Sequence, residues 1–378
     1  MRKTIQPTRR RCAATAACLA AAALACLPAA AGARAPDLQQ RLDTLVASGV
    51  PGAILVTGDG DRTRRFASGL AQVAPERPMR ASDRFRIASL TKSYTATVVL
   101  QLVDEGKLSL ADSVERRLPG VVPNGAGITI EQLLNHTSGL FDHERDESVL
   151  APYLSGNFGH YWSPRQLVDI AVSHPPLFAP GAQQSYSNTN YVVAQLIVEA
   201  VTGRPLGAEL ERRIFGPLRL RKTSYPLTPE IPGRHAHGYM VVGQPPAIDV
   251  TGISPSISPG SGAILSTARE VAAFYGALMS GRLLERDELR AMTTTLPVGG
   301  GSDIPGQRYG LGLGSFPTSC GTAWGHNGSQ PGYMVWAYTS RNGRGQAVLM
   351  TNLDPSSMTA ETAQRFHALI AAAFCSTS

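Results

Sequence analysis

Ser89 and Lys92 stand three residues apart in Ile87-Ala88-Ser89-Leu90-Thr91-Lys92, and Lys92 is one of only four lysines in 378 residues. Tyr186-Ser187-Asn188 and His326-Asn327-Gly328-Ser329 follow in that order. A hydroxyl, an amine, a phenol, an amide and closely placed backbone N–H groups are the parts that acyl transfer through a serine ester requires. On a helix, positions i and i+3 share a face, so Ser89 and Lys92 would meet. Lys92 can accept the serine proton only if a useful fraction is neutral. That requires a pKa well below the ordinary lysine value, at about 1.4 kcal/mol per unit. Burial and the positive end of a helix are the available causes. Tyr186 could pass a proton to a leaving group. The Asn188 amide could hold a substrate carbonyl and touch Lys92. Gly328 would allow close backbone approach, and the N–H groups of Ser329 and Ser89 could form an oxyanion hole. His326 would add a positive or hydrogen-bonding group whose titration near pH 6.5 should show in activity. Plainer readings exist for each: a solvated lysine, a part-buried tyrosine, Asn188 as a helix cap, His326 as a structural histidine, Gly328 as a turn residue. Their joint occurrence in one chain favours a shared site.

The elements that must position these residues can be read from periodicity and turn chemistry. Asp37–Ala47 reads as a short amphipathic helix. Ala53–Thr57 and Thr63–Ala67 read as strands around the turn Gly58-Asp59-Gly60-Asp61. A helix is expected from near Ser89 to Gly106, with Val98, Val99, Leu102 and Val103 as its apolar face. Thr129–Gly139 suggests a helix with a capping box from Thr129 to Gln132, and Tyr191–Val201 another, closed by Gly203. Met334–Tyr338 and Gln346–Thr351 flank a second hairpin turn at 341–344, and Thr359–Phe374 closes the chain as an amphipathic helix. The expected fold class is α/β of the α+β kind: one antiparallel sheet built from both chain ends, flanked by helices, with a mostly helical lobe inserted. The corresponding segments are 34–109, 110–250 and 251–378, and the cleft between lobes is the natural place for a site.

Residues 1–33 hold five basic and no acidic residues ahead of an alanine-rich apolar stretch, the pattern of an export signal peptide. Ala31-Gly32-Ala33 offers a cleavage site, and a retained membrane span is not expected. Lipoprotein processing at Cys26 and a twin-arginine route through Arg9–Arg11 are weaker readings. Without this segment the formal charge of +7 becomes +2, so the basic pI is mostly the leader's and gives no basis for nucleic-acid binding. About 345 residues remain, enough for one large domain or two intimate ones. Of five cysteines, Cys320 and Cys375 remain after cleavage, and in an exported chain two cysteines suggest one disulfide. No metal-ligand spacing of Cys and His occurs.

With these motifs in place, the chain resembles the penicillin-recognising serine hydrolases, which include D-alanyl-D-alanine peptidases, class C β-lactamases and related esterases. Leu133–Leu140, Tyr186–Tyr191 and Tyr309-Gly310-Leu311-Gly312 carry the likeness further. His136, within the first of these, is expected to bond within its own turn. The His-x-Gly third motif and the Cys320/Cys375 pair resemble secreted D-alanyl-D-alanine carboxypeptidases of actinomycete type. The resemblance implies Ser89 as nucleophile, Lys92 as proton acceptor and Tyr186 as relay. Asn188 would orient the acyl group, with His326 and Ser329 lining the opposite wall beside Asn327 and Gly328. It implies no cofactor and no metal, a monomer, secretion or periplasmic export, and a peptidoglycan stem peptide or other small D-amino-acid peptide as substrate, with β-lactams as acylating inhibitors. One departure stands out: Gly310–Trp324 contains neither Arg nor Lys to hold a substrate's terminal carboxylate, and Arg308 is displaced. A β-lactamase, an esterase or a D-amino-acid peptide hydrolase would use the same residues. A non-catalytic β-lactam sensor would not need all three motifs intact.

Overall fold

A computed structural model describes residues 37–378, apart from 61, 244, 300–303 and 378. The expected signal segment lies outside the described residues. The chain begins with α1 (Leu38–Ala47), the hairpin β1 (Gly52–Asp59) and β2 (Arg62–Gln72), β3 (Arg77–Pro78) and β4 (Phe85–Arg86). A 3₁₀ turn, Ala88–Leu90, runs directly into α2 (Thr91–Asp104). There follow α3 (Val114–Arg117), α4 (Ile130–Leu134), α5 (Glu147–Leu154), α6 (Pro164–Ser173), α7 (Thr189–Thr202) and α8 (Leu206–Leu210). Short strands β5 (Tyr239–Met240), β6 (Ile248–Asp249) and β7 (Leu265–Ser266) precede α9 (Ala268–Met279) and α10 (Arg286–Thr293). The end of the chain supplies β8 (Leu296–Pro297), β9 (Arg308–Tyr309), β10 (Gly314–Thr318), β11 (Gly321–Gln330), β12 (Tyr333–Thr339), β13 (Gly345–Thr351) and α11 (Ala360–Cys375).

Nine strands form one antiparallel sheet in the order β3-β2-β1-β13-β12-β11-β10-β9-β8. The seam between the chain ends is β1 against β13, from Ala53 opposite Thr351 to Asp59 opposite Gly345. The expected sheet from both termini is therefore present. Both faces are covered, which explains why β12 and β13 are buried at every position. Side chains alternate between the faces. Ile54, Val56, Val335, Ala337, Val348 and Met350 join the large core with α2, α7 and α9. Ala53, Leu55, Trp336, Tyr338 and Leu349 pack under α1 and α11, against Leu42, Phe366, Ile370 and Phe374. Each such side chain contributes about 1.5–3 kcal/mol through removal from water.

Two expected helices differ from the sequence reading. The capping box is present, with Thr129 Oγ1 accepting from Gln132 N–H and the Gln132 side chain accepting from Thr129 N–H. The helix nevertheless stops at Leu134, because His136 turns left-handed at φ 62° and Gly139 follows at φ 78°. A side chain at Gly139 would press its Cβ to 2.2 Å from Phe178 O. α2 begins at Thr91 after the 3₁₀ turn, and it is buried on all sides through Leu100 rather than on one apolar stripe. Its serine and threonine hydroxyls find partners inside: Ser93 Oγ donates to Gly312 O at 2.6 Å and Thr95 Oγ1 to Gly260 O at 2.8 Å. Hydrogen bonding removes the desolvation penalty that would otherwise keep such residues at the surface.

Cys320, just after β10, is joined to Cys375 at the end of α11, closing a span of 55 residues. The expected disulfide thus ties the last helix to the strand region that precedes His326. Replacing both cysteines by alanine should lower unfolding free energy by about 4 kcal/mol in the chain-entropy model. Denaturant unfolding of the oxidised and the double-alanine proteins measures it. A difference under about 1 kcal/mol would mean that α11 packing already confines the unfolded ends.

Candidate active site

Ser89 lies in the 3₁₀ turn at the head of α2, part-exposed to a cleft of about 390 Å³. The residue before it, Ala88, is buried and adopts φ +49°. A non-glycine residue in this region costs about 1–3 kcal/mol. Here it bends the chain sharply between β4 and α2 and presents Ser89 to the cleft. Gly328 of β11 presses on the same turn: a Cβ there would sit 2.8 Å from Ile87 O and 3.1 Å from Ser89 N. Only glycine permits that approach.

Lys92 is fully buried beneath the cleft. Its Nζ donates to Ser89 Oγ at 3.0 Å, to Asn188 Oδ1 at 2.7 Å and to Ser261 O at 3.1 Å. Desolvation lowers its pKa to about 7, opposed by the charges of Glu144 and Asp142. Two of its three partners are carbonyl oxygens that can only accept. In the neutral amine two N–H groups remain for them, and the lone pair is left facing Ser89 Oγ.

Asn188 stands at the head of α7, yet its side chain makes no cap. It spans instead from Lys92 to Asp142, with Nδ2 donating to Asp142 Oδ2 at 3.2 Å. The buried Asp142 also accepts from Glu144 N–H. This carboxylate can only accept, so it fixes which end of the amide faces Lys92. Tyr186 borders the cleft alongside Ser89; desolvation holds its phenol well above the ordinary value, so it stays protonated as a donor. Its ring centre is 4.7 Å from Lys92 Nζ and 4.3 Å from the ring of His136. His136 Nδ1 accepts from Ser187 N–H at 3.3 Å and lies 3.1 Å from Asn190 Nδ2. It therefore braces the Tyr186 segment, not its own turn as the sequence suggested.

The third motif divides by strand parity. Asn327 and Ser329 face the cleft on the same side of the sheet as Trp336. His326 lies on the opposite face of β11, the face on which Gly328 meets the Ser89 turn, and its ring is buried against Tyr309. Tyr309 Oη lies 2.8 Å from His326 Nε2, and His326 Nδ1 contacts Asn327 O. The carbonyl accepts only, so Nδ1 carries the proton and Nε2 accepts from the phenol. Desolvation, with the nearby Lys92 charge, pushes His326 down to about 3. Burial therefore favours the neutral imidazole, against the titration near 6.5 expected from the sequence.

Residues 38–372 match the Beta-lactamase family model. The chain belongs to the Beta-lactamase family. Members of this family are serine hydrolases, among them amidases, peptidases and β-lactamases. Penicillin-binding protein 4* of Bacillus subtilis is 28% identical over 302 residues, 75% of this chain and 63% of that protein. Penicillin-binding protein 4 of Amycolatopsis lactamdurans is 34% identical over 196 residues, 49% of this chain and 48% of that protein. The chain thus spans less than two thirds of the length of these curated relatives. Among solved structures, a D-stereospecific amidohydrolase from Streptomyces sp. superposes with TM-score 0.81 at 38% identity, covering 91% of this chain and all of that one. The D-amino acid amidase of Ochrobactrum anthropi SV3 gives TM-score 0.79 at 30% identity, covering 88% and 97%.

Four contributors to the site were not singled out from this Beta-lactamase family sequence. Asp142 and Glu144 follow the Leu133–Leu140 segment, and their only signal was a pair of acids beside a recognisable motif. Ser258 holds Glu144 by donating to Oε1 at 2.5 Å. Ser261 acts through its main-chain carbonyl, which leaves no trace in side-chain chemistry.

If Lys92 is the proton acceptor, kcat/KM should rise through pH 7 and level above it. Asp142→Asn removes a charge that raises the Lys92 pKa, so the acid limb should move to lower pH. His326→Gln should keep the limb. pH profiles of the three proteins decide; a limb that vanishes in the His326 variant would assign it to the histidine instead.

Proposed function

We propose that the chain is an exported serine amidohydrolase acting on D-aminoacyl amides and short D-peptides that carry a free α-amino group. Among the described residues lining the cleft, Glu144 is the one acidic or basic side chain, and this observation carries the reading; burial and the neighbouring Asp142 raise its pKa, and an arriving ammonium would favour its ionised form. A substrate ammonium would pair with it through charge-assisted hydrogen bonds. The cleft's other lining, including Leu150, Tyr186, Ile257, Val298, Tyr309 and Trp336, suits an apolar side chain. The names of the two solved relatives support D-stereochemistry. In this reading Ser89 Oγ gives its proton to neutral Lys92 and attacks the acyl carbon. The N–H groups of Ser89 and Ser329 hold the oxyanion, while Asn188 and Asn327 orient the acyl group. The proton passes through Tyr186 to the leaving nitrogen, the C–N bond breaks, and ammonia or an amine departs. Water then cleaves the Ser89 ester and releases the D-amino acid.

A D-alanyl-D-alanine carboxypeptidase is the second reading, favoured by the relatives named as penicillin-binding proteins. Such a substrate brings a carboxylate, and the described cleft lining offers it no cation. Arg308 is spent on Thr295, through Oγ1 at 3.0 Å and the carbonyl at 2.6 Å.

D-alanine amide should be hydrolysed roughly 10- to 100-fold faster in kcat/KM than N-acetyl-D-alanine amide, the value of a hydrogen bond to a charged group. Glu144→Gln should close that gap, and Ser89→Ala should remove turnover by about four orders of magnitude or more. Preferred cleavage of an N-acylated D-alanyl-D-alanine peptide with release of D-alanine would establish the carboxypeptidase in its place.

A further inference from the structure

Arg86 is among the largest fully buried side chains, at 2% exposure, and lies three residues before Ser89 on β4. Its Nη2 donates to Pro229 O at 2.7 Å and to Thr251 O at 3.4 Å. Nε and Nη1 are buried and have no hydrogen-bond partner. Among the described residues no carboxylate forms an ion pair with it; Glu230 acts only at a distance from the surface. Arginine does not lose its proton in a protein, so this site carries a permanent buried charge. An uncompensated buried charge is among the most costly features a fold can hold.

Arg86 also lines a small cavity with Val250, Ile253, Ser254 and Pro255, and three further wall residues, Ile257, Gln330 and Pro331, belong to the catalytic cleft as well. The cavity has room for about one water-sized sphere, at about 10 Å³. That excludes phosphate and a peptide carboxylate; a water fits the cavity as it stands, and a halide, being only slightly larger, fits with a small shift of the walls. Water would satisfy an N–H group and leave the charge unbalanced. The walls are mostly apolar, which suits a weakly hydrated anion.

We infer that Arg86 and this cavity form a binding site for a single monatomic anion, chloride being the abundant candidate, set behind the wall of the cleft and at the root of the turn that carries Ser89. The anion neutralises the guanidinium and holds β4 and the Ser254–Ile257 segment together. This site is independent of which amide the cleft accepts.

Two measurements on the intact protein test it. Crystals soaked in bromide should show an anomalous peak against Arg86. Tm, read at constant ionic strength, should rise with chloride replacing gluconate, by roughly 3 °C at about a hundredfold excess over the dissociation constant. Arg86→Met should lose the chloride dependence; should that variant fail to fold, the two wild-type measurements decide alone. A cavity without bromide, equal Tm in both anions, or a peak with no Tm effect would each overturn the proposal. So would a soaked D-peptide placing its carboxylate against Arg86.

Discussion

The site depends on one buried amine held by three acceptors from separate parts of the chain. Lys92 reaches Ser89 within its own turn, Asn188 at the head of α7, and the Ser261 carbonyl in the segment before β7. Burying an ammonium costs several kcal/mol, and hydrogen bonds to fixed oxygens return part of that cost. The rest appears as a pKa lowered to about 7. The same penalty that threatens stability thus tunes the amine to the pH at which it can exchange a proton.

Every element around this amine is arranged to keep it fixed. α2 is buried on all sides, and Gly312 packs so tightly on it that a Cβ would meet Ala96 Cβ at 2.6 Å. Gly328 brings β11 onto the Ser89 turn, while β11 is itself held in a sheet whose seam joins the two ends of the chain. Asp142 orients Asn188, and His136 braces the segment of Tyr186. These contacts are long-range, so the positions of the reactive groups are properties of the whole fold.

Electrostatics separates the chemistry from the recognition. Lys92, Asp142 and His326 are buried below the surface of the cleft, Lys92 bonded to Ser89 and Asp142 to Asn188. Glu144 faces the cleft, and in the proposed reading its carboxyl would receive a substrate ammonium and disfavour a carboxylate-terminated substrate. Family membership sets the serine hydrolase class, and in the proposed reading a single carboxyl, that of Glu144, decides which end of a substrate is welcome.

The sequence by itself determined the parts whose signals are local. Ser89 and Lys92 were legible because i and i+3 share a face in the 3₁₀ turn as in the α-helix that follows it. The hairpins, the capping box at Thr129 and the glycine stop at Gly203 were legible because turn and cap chemistry acts within a few residues. The pairing of the chain ends and the Cys320–Cys375 bridge followed from strand patterns and from how few cysteines remained. Tertiary structure decided the rest, since it depends on contacts between distant residues. Strand parity, set by the register of β11 against β12, turned His326 inward and left Asn327 and Ser329 on the wall. Chain reversal at His136 shortened α4 against the helical pattern. The value of Asp142 and Glu144 arose only when folding placed them about fifty residues from Ser89 in sequence yet beside Lys92 in space. Burial and charge proximity have no signature in local sequence, and they are what set the protonation states on which the site depends.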